Sequence, residues 1–281
     1  MSQPSYGNDD APSALPERAN ILGVRISVTD YVQTTRCIVD AARARRALLI
    51  AATDVNSVMQ ARRDPAYAAA LNSFDIVAPD GQPVRWGLRL TKQARLHDRV
   101  YGPTLMLHVC EAASRAGLSV FLYGSRSETL RLLAERLVAR FPALVIAGTR
   151  EGRFRPLTLL EQEQDAHEIT HSGAAITFVG MGCPRQEWWI FHMRKRVSMP
   201  MLAVGAAFDF HAGLVAQAPT WMQDRGLEWA YRLSREPKRL WRRYVLLTPQ
   251  YVPLIAAQAL GLRHFAEATD IAEARNRECP G

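Results

Sequence analysis

The stretch VGMGCPRQEWW, residues 179–189, reads as a strand that runs into a helix through a turn of two glycines and a proline. Gly180 and Gly182 carry no side chain, which leaves room for another group to approach the backbone. Pro184 suits the first turn of a helix, where its missing N–H has no partner to lose. Arg185 and Gln186 then stand at a helix N-terminus, a position that favours anions. A tight strand-to-helix turn with no ligand has the same pattern, so this stretch leaves both readings open.

The flanks repeat the grammar. ILGVRISV (21–28) alternates like a strand, and DYVQTTRCIVDAARAR (30–45) follows with helical spacing and Asp30 as N-cap. ALLIAAT (47–53) is a short apolar run, and SVMQARRDPAYAAALNSF (57–74) is helical with a break near Pro65. DIVAPDG (75–81) is strand then turn, and GPTLMLHVCEAASRAG (102–117) is a helix between Pro103 and Gly117. SVFLYGS (119–125) is a strand, and Ser125 with Glu128 has capping-box spacing for the helix after it. ALVIAGT (143–149), AAITFVGM (174–181) and MLAVGAAF (201–208) complete the set of buried-strand candidates. Apolar strands alternating with helices predict an α/β, Rossmann-like, mainly parallel sheet covered on both faces. In such sheets ligands bind beyond the carboxyl ends of the strands. Three unusual turns fall there: TDVN (53–56), PDGQP (79–83) and GMGCPRQ (180–186).

With 281 residues, 48% hydrophobic and 22% charged, the chain can bury a substantial core. A net charge of +8 suggests an anionic partner: nucleic acid, a membrane surface or a phosphate-bearing substrate. Cys37, Cys110, Cys183 and Cys279 form no C-x-x-C pair, which argues against a disulfide framework or a cysteine zinc site. The Pro-rich N-terminus has no apolar core of a signal peptide and predicts a disordered lead-in over 1–19. An α/β catalytic domain is expected over 20–217.

After residue 217 the composition changes. Residues 219–244 hold seven basic residues (Arg225, Arg232, Arg235, Lys238, Arg239, Arg242 and Arg243) against Asp224, Glu228 and Glu236. Trp221, Trp229, Tyr231, Trp241 and Tyr244 are interleaved, and an apolar run broken by Pro249 and Pro253 follows. The run is too interrupted for a transmembrane helix. The pattern predicts a basic helical appendage over 218–265 that lies at a membrane interface, with a tail over 266–281. A terminal helical hairpin that closes the core is the competing reading.

Several motifs bear on chemistry. HEITH (167–171) has the H-x-x-x-H spacing of a zinc protease, but it sits in a polar stretch that reads as a surface helix, with no third ligand downstream. There is no D-x-D, and Asp54-Val-Asn56 is the nearest approach to one. No metal or other cofactor is therefore expected, and arginine would stabilise a diphosphate instead. Asp80, between an apolar strand and a glycine, is placed to take a proton from an attacking hydroxyl, although a turn or N-cap aspartate has the same spacing. Asp209, flanked by Phe208 and Phe210, reads on spacing as a structural turn.

These blocks, in this order, resemble the WecG/TagA/CpsF glycosyltransferases: APDGQP, RVYGPTLM, GMGCPRQEWWI, AVGAAFDFHAG and APTWMQDRGLEWAYRLSREPKRLWRRY. The resemblance covers roughly residues 20–245. It implies an inverting transferase that moves a hexose or N-acetylhexosamine, of N-acetylmannosamine type, from a UDP-sugar to a polyprenyl-diphosphate-linked acceptor. Glucose or a uronic acid is the alternative donor sugar. It also implies a cytoplasmic protein at the inner face of the plasma membrane, acting in cell-surface polysaccharide synthesis. The family's proposed base falls on Asp80, its active-site arginine on Arg99 and its glutamine on Gln186. Its diphosphate arginines fall on Arg232 and Arg235, with Arg225 as a third. Thr53, Asp54 and Asn56 depart from the family's T-x-N spacing, which leaves Asp54 and Asn56 competing for the asparagine's role. Gly180, Gly182 and Asp209 complete the expected substrate site. A nucleic-acid-binding protein and a zinc hydrolase remain as rivals from other classes. No nucleic-acid motif appears, and a homo-oligomer is left open.

Overall fold

The computed structural model describes residues 13–91, 96, 99–153, 155–219, 221, 222, 225, 227–241 and 247–269. Arg242, Arg243, Tyr244, Cys279 and the side chain of Arg239 lie outside the described residues.

Six parallel strands form the central sheet: β3 (Leu48–Thr53), β4 (Ile76–Pro79), β5 (Ser119–Gly124), β6 (Val145–Arg150), β7 (Ile176–Gly180) and β8 (Pro200–Ala203), in the order β4-β3-β8-β7-β5-β6. Successive residues of each inner strand point to opposite faces, and both faces are covered. Leu49, Val77, Tyr123, Val179 and Met201 point into one core, and Ile50, Ala78, Leu122, Phe178 and Leu202 into the other. The first core is closed by α2 (Val55–Arg63), α3 (Pro65–Asn72), α4 (Gln82–Leu90), α7 (Leu159–His171) and α8 (Arg185–Met193). The second is closed by α1 (Tyr31–Arg43), α5 (Gly102–Ala116), α6 (Ser127–Arg140) and α9 (Ala207–His211). This is the Rossmann-like α/β fold that the strand pattern predicts.

Local signals explain most boundaries. Asp30 caps α1 by accepting from the Gln33 N–H, and Asp64 separates α2 from α3 and caps the latter, with Pro65 at its first position. Gly117 ends α5 in the left-handed region. Three expectations are corrected. ILGVRISV is not one strand: β1 (Arg18–Ile21) and β2 (Val24–Ser27) form an antiparallel hairpin, turned by Leu22 and Gly23 with φ of 53° and 93°. Positive φ at both turn residues matches the right-handed twist of the flanking strands. Ser125 does not cap α6; Arg126 holds the cap position and makes no side-chain cap bond. β6 is an edge strand with Val145 exposed, because no strand lies beyond it.

The C-terminal part also departs from expectation. Beyond α10 (Glu228–Arg235) and α11 (Pro237–Trp241), α12 (Thr248–Ala259) packs against α2 and α4. Tyr251 and Ile255 are buried in the first core, the Tyr251 hydroxyl donates to the Pro83 carbonyl at 3.2 Å, and Phe265 is buried beyond the helix. Gln258 ties the segment to the hairpin, donating to the Asn20 carbonyl at 2.8 Å and accepting from the Leu22 N–H at 3.0 Å. The apolar side of residues 248–265 thus closes the core, while Val252, Leu260 and Leu262 face out. Among the described residues, no helix is long and apolar enough to cross a membrane.

Truncating a fully buried large aromatic typically costs 3–5 kcal/mol. Tyr251→Ala is expected to lower the stability by about 3 kcal/mol, read as a lower urea midpoint at unchanged slope. A chain ending at residue 245 loses Tyr251, Ile255 and Phe265 together and should fail to give a cooperative transition.

Candidate active site

Asp80 follows the last residue of β4. Its N–H donates to the Thr53 carbonyl at 2.9 Å, extending the ladder between β3 and β4 by one bond. The side chain leaves the sheet there and accepts from the Gly102 N–H at 3.2 Å. A Cβ at position 102 would stand 3.2 Å from the Ala52 Cβ and 3.4 Å from the Asp80 carboxyl, so glycine lets the start of α5 approach this closely. Burial pushes the Asp80 carboxyl up to about 7, Arg99 opposes that shift, and the nearby charges of Asp54 and Glu228 add to it.

Two cavities meet at this carboxyl. The larger, of about 890 Å3, lies over the ends of β7 and β8, and Gly180, Gly182, Gln186 and Asp209 line it with Arg126, Arg185 and Arg232. The smaller, of about 320 Å3, has walls of Val55, Pro83, Trp86 and Trp229, with Arg99 and Glu228 deeper in. Asp54, Asp80, Tyr101 and Arg232 line both. A group in one cavity can therefore reach a group in the other past Asp80.

The opening turn holds itself together. The Gln186 Oε1 accepts from the N–H of Gly182 at 3.2 Å and of Gly205 at 3.0 Å, so one amide joins the loops after β7 and β8. Its Nε2 donates to Glu187 Oε1 at 2.9 Å, which fixes the amide's orientation. Glu187 is buried, its other oxygen has no hydrogen-bond partner, and desolvation pushes its carboxyl up to about 7. At Gly180 the approaching group is protein: a Cβ there would strike the Phe208 ring at 2.5 Å. Gly182 has a φ of +77°, which a residue with a side chain rarely adopts. The Cys183 thiol accepts from Ser57 at 3.2 Å, and burial pushes it well above the usual thiol range.

The remaining predicted residues divide. Thr53 is buried and lines neither cavity. Asp54 caps α2 by accepting from the Ser57 N–H and lines both cavities, whereas Asn56 lines only the larger. Of the three appendage arginines only Arg232 enters the cleft. Its guanidinium lies 5.5 Å over the Phe210 ring, and its Nε–H is buried with no hydrogen-bond partner. Arg225 stacks at 5.7 Å over Trp221 on the surface, and Arg235 is exposed. HEITH forms the C-terminal end of α7, where His167 and His171 stack on each other with ring centroids 3.8 Å apart. Among the described residues, no three His, Cys, Asp or Glu are grouped to hold a metal ion. Sequence reading missed Tyr101, Arg126, Glu187 and Glu228. Glu228 was one of three acids, with Asp224 and Glu236, in an arginine-rich run, and nothing in the run singled it out.

The family described as "Glycosyl transferase WecG/TagA/CpsF family" matches residues 19–265. A relative from Bacillus subtilis (strain 168) is 31% identical over 207 residues, covering 72% of this chain and 77% of its own length. It is named N-acetylglucosaminyldiphosphoundecaprenol N-acetyl-beta-D-mannosaminyltransferase. A protein of the same name from Bacillus spizizenii strain W23 is 32% identical over 197 residues, covering 70% and 74%.

The buried Glu187 carboxyl yields a stability prediction. Its folded-state value near 7 lies above the ordinary carboxylate range. The folded chain therefore holds this proton more tightly than the unfolded one, and stability is lost as pH rises from about 4.5 through about 7. Glu187→Gln keeps the shape and the acceptor but cannot ionise. Its urea midpoint should match the wild type near pH 5 and exceed it at pH 8; no difference at pH 8 would show that Glu187 ionises freely.

Proposed function

The chain belongs to the WecG/TagA/CpsF family of glycosyl transferases and is a hexosyltransferase, and we propose that it moves an N-acetylmannosamine-type sugar from a UDP donor to a polyprenyl-diphosphate-linked N-acetylglucosamine. The observation that carries this reading is the position of Asp80 at the junction of two cavities of different character. The larger cavity, with three guanidinium groups and glycine backbone, suits a nucleoside diphosphate. The smaller, walled by Trp86, Pro83 and Trp229, suits a lipid-carried sugar. The names of the two relatives support the acceptor and the transferred sugar.

In this mechanism Asp80 takes the proton from the acceptor hydroxyl as that oxygen attacks C1 of the donor sugar. The bond from C1 to the β-phosphate oxygen breaks, its electrons stay on UDP, and the configuration at C1 inverts. Arg232, which lines both cavities, offsets the charge of the departing diphosphate, and Arg126 and Arg185 add charge within the larger cavity. Arg225 and Arg235 supply attraction at the rim. The protein acts at the cytoplasmic face of the membrane. Trp86 and Leu90, one turn apart on α4 and exposed, stand beside the smaller cavity and enter the interfacial layer there.

Asp80→Asn keeps the shape of the side chain and removes the base. Turnover, read as UDP release, should fall by about 10²–10⁴ while the chain still unfolds cooperatively. In the wild type, kcat/KM should climb about tenfold per pH unit up to about 7 and then level, because only ionised Asp80 accepts the proton. A folded Asn variant with more than about half the activity would assign the base elsewhere.

Charge stabilisation by arginine makes a separate prediction. Turnover should survive excess chelator, whereas Arg232→Ala should lose about 10²-fold. Loss of activity in chelator, with recovery on adding magnesium, would move the diphosphate's counter-charge to a metal.

A further inference from the structure

The helix α10 carries Arg232 into the cleft, and its apolar residues Ala230, Tyr231 and Leu233 are only half-buried there. Of its eight residues only Glu228 is buried, although the helix also bears Trp229, Tyr231 and Leu233. A helix normally docks through an apolar stripe. Here the buried contact is an ion pair: Glu228 Oε2 lies 2.6 Å from Arg99 Nη2, and both side chains are about one-tenth exposed. The Tyr101 hydroxyl lies close to the same carboxylate, and the Arg99 guanidinium lies 4.4 Å over the Tyr101 ring. Arg99 and Tyr101 belong to the segment that follows α4 and passes the end of β4 into α5, where the Val100 N–H donates to the Pro79 carbonyl at 3.0 Å. Glu228 and Arg232 are four residues apart, so they share one helix face. Whatever fixes Glu228 therefore fixes the approach of Arg232.

We propose that Glu228 is the positioning residue of this site: its contact with Arg99 and Tyr101 docks α10 on the α/β core and so delivers Arg232 to the cleft. Arg99 then acts by holding the helix rather than by gripping the substrate. The arrangement is costly to half-remove, since a buried ion stripped of its partner is strongly unfavourable. It also gives the docking a geometric specificity that a greasy contact would lack. Glu228 cannot be traded for a shorter acid without dragging the helix toward the core or losing the contact.

The activity arm of the test rests on the glycosyl-transfer reading, and the docking arm does not. Hydrogen exchange over 228–235 reads docking without any substrate. Glu228→Ala should speed exchange there by roughly tenfold or more while β3 and β8 stay protected. Glu228→Asp keeps the charge balance should the alanine variant misfold, and it should show the same loss of protection in milder form. In UDP release, Glu228→Ala should lose about 10²-fold, and adding Arg232→Ala to it should cost less than about threefold more, since coupled residues do not add. Unchanged exchange in a folded Glu228→Ala or Glu228→Asp chain would overturn the proposal, as would losses that multiply in the double variant. If the wild type releases no UDP from any donor while exchange responds as expected, the docking role stands and the functional reading fails.

Discussion

The Asp80 carboxyl is half-buried where the two cavities meet; desolvation raises it most, the nearby carboxyl groups Asp54 and Glu228 add to that, and Arg99 opposes it. Like charges gathered in a poorly hydrated site resist ionising together. The cluster therefore holds Asp80 near the point where it can both accept and release a proton. These groups come from four places: the end of β3, the end of β4, the approach to α5, and a helix more than 120 residues further on. The sheet supplies the first two, because β3 and β4 are neighbours and end level at Thr53 and Pro79. The approach to α5 is pinned by the Gly102 N–H and the Val100 N–H. Only Glu228 depends on long-range docking.

That dependence explains why the C-terminal part of the chain cannot be a loose accessory. Residues 251–265 fill a gap in the first core, and Tyr251 touches α4 at Gly87, where a Cβ would come within 2.3 Å of the hydroxyl. The helix α4 starts just after Asp80 and carries Trp86 at the rim of the smaller cavity. A segment that reads as a membrane anchor thus also sets the position of the cavity wall. Its outward residues, Val252 and Leu260 among them, remain available to an interface. One amphipathic segment can serve both purposes because a helix has two faces, and only one is needed to close the core.

The sequence made the sheet legible because inner strands of a parallel sheet are short unbroken apolar runs, and their carboxyl ends carry the odd turns. Asp80, Gly182, Gln186 and Arg232 could be found there or by resemblance. What stayed hidden was pairwise geometry. The Gln186 amide was expected to face a ligand and instead joins Gly182 to Gly205. Gly180 was expected to admit a ligand and admits Phe208. Arg225, Arg232 and Arg235 looked equivalent along the chain, yet the turn of α10 and its docking point let only one of them in. The hairpin was missed because Gly23 sits inside an alternating apolar pattern, and alternation does not report the sign of φ. Glu228 was counted as a charge among arginines, since spacing says nothing about which partner a carboxylate will meet.

Electrostatics also separates the two cavities. The smaller holds Asp54, Asp80 and Glu228 against Arg99 and Arg232, whereas the larger sets Arg126, Arg185 and Arg232 against Asp54, Asp80 and Asp209. Acids outnumber arginines in the smaller cavity and are matched by them in the larger, so an anion meets less repulsion in the larger. Under the proposed function, a nucleoside diphosphate would meet the smaller repulsion on the side of the glycine loops. A lipid diphosphate is discouraged from lying deep beside Asp80, so the sugar end of an acceptor can enter while its charged linkage stays outward near the exposed Trp86. Arg232, shared by both, stands where the leaving diphosphate would first carry its new charge. Under the proposed function, shape and charge favour one direction of transfer: donor from the arginine side, acceptor from the tryptophan side, and the proton to the carboxyl between them.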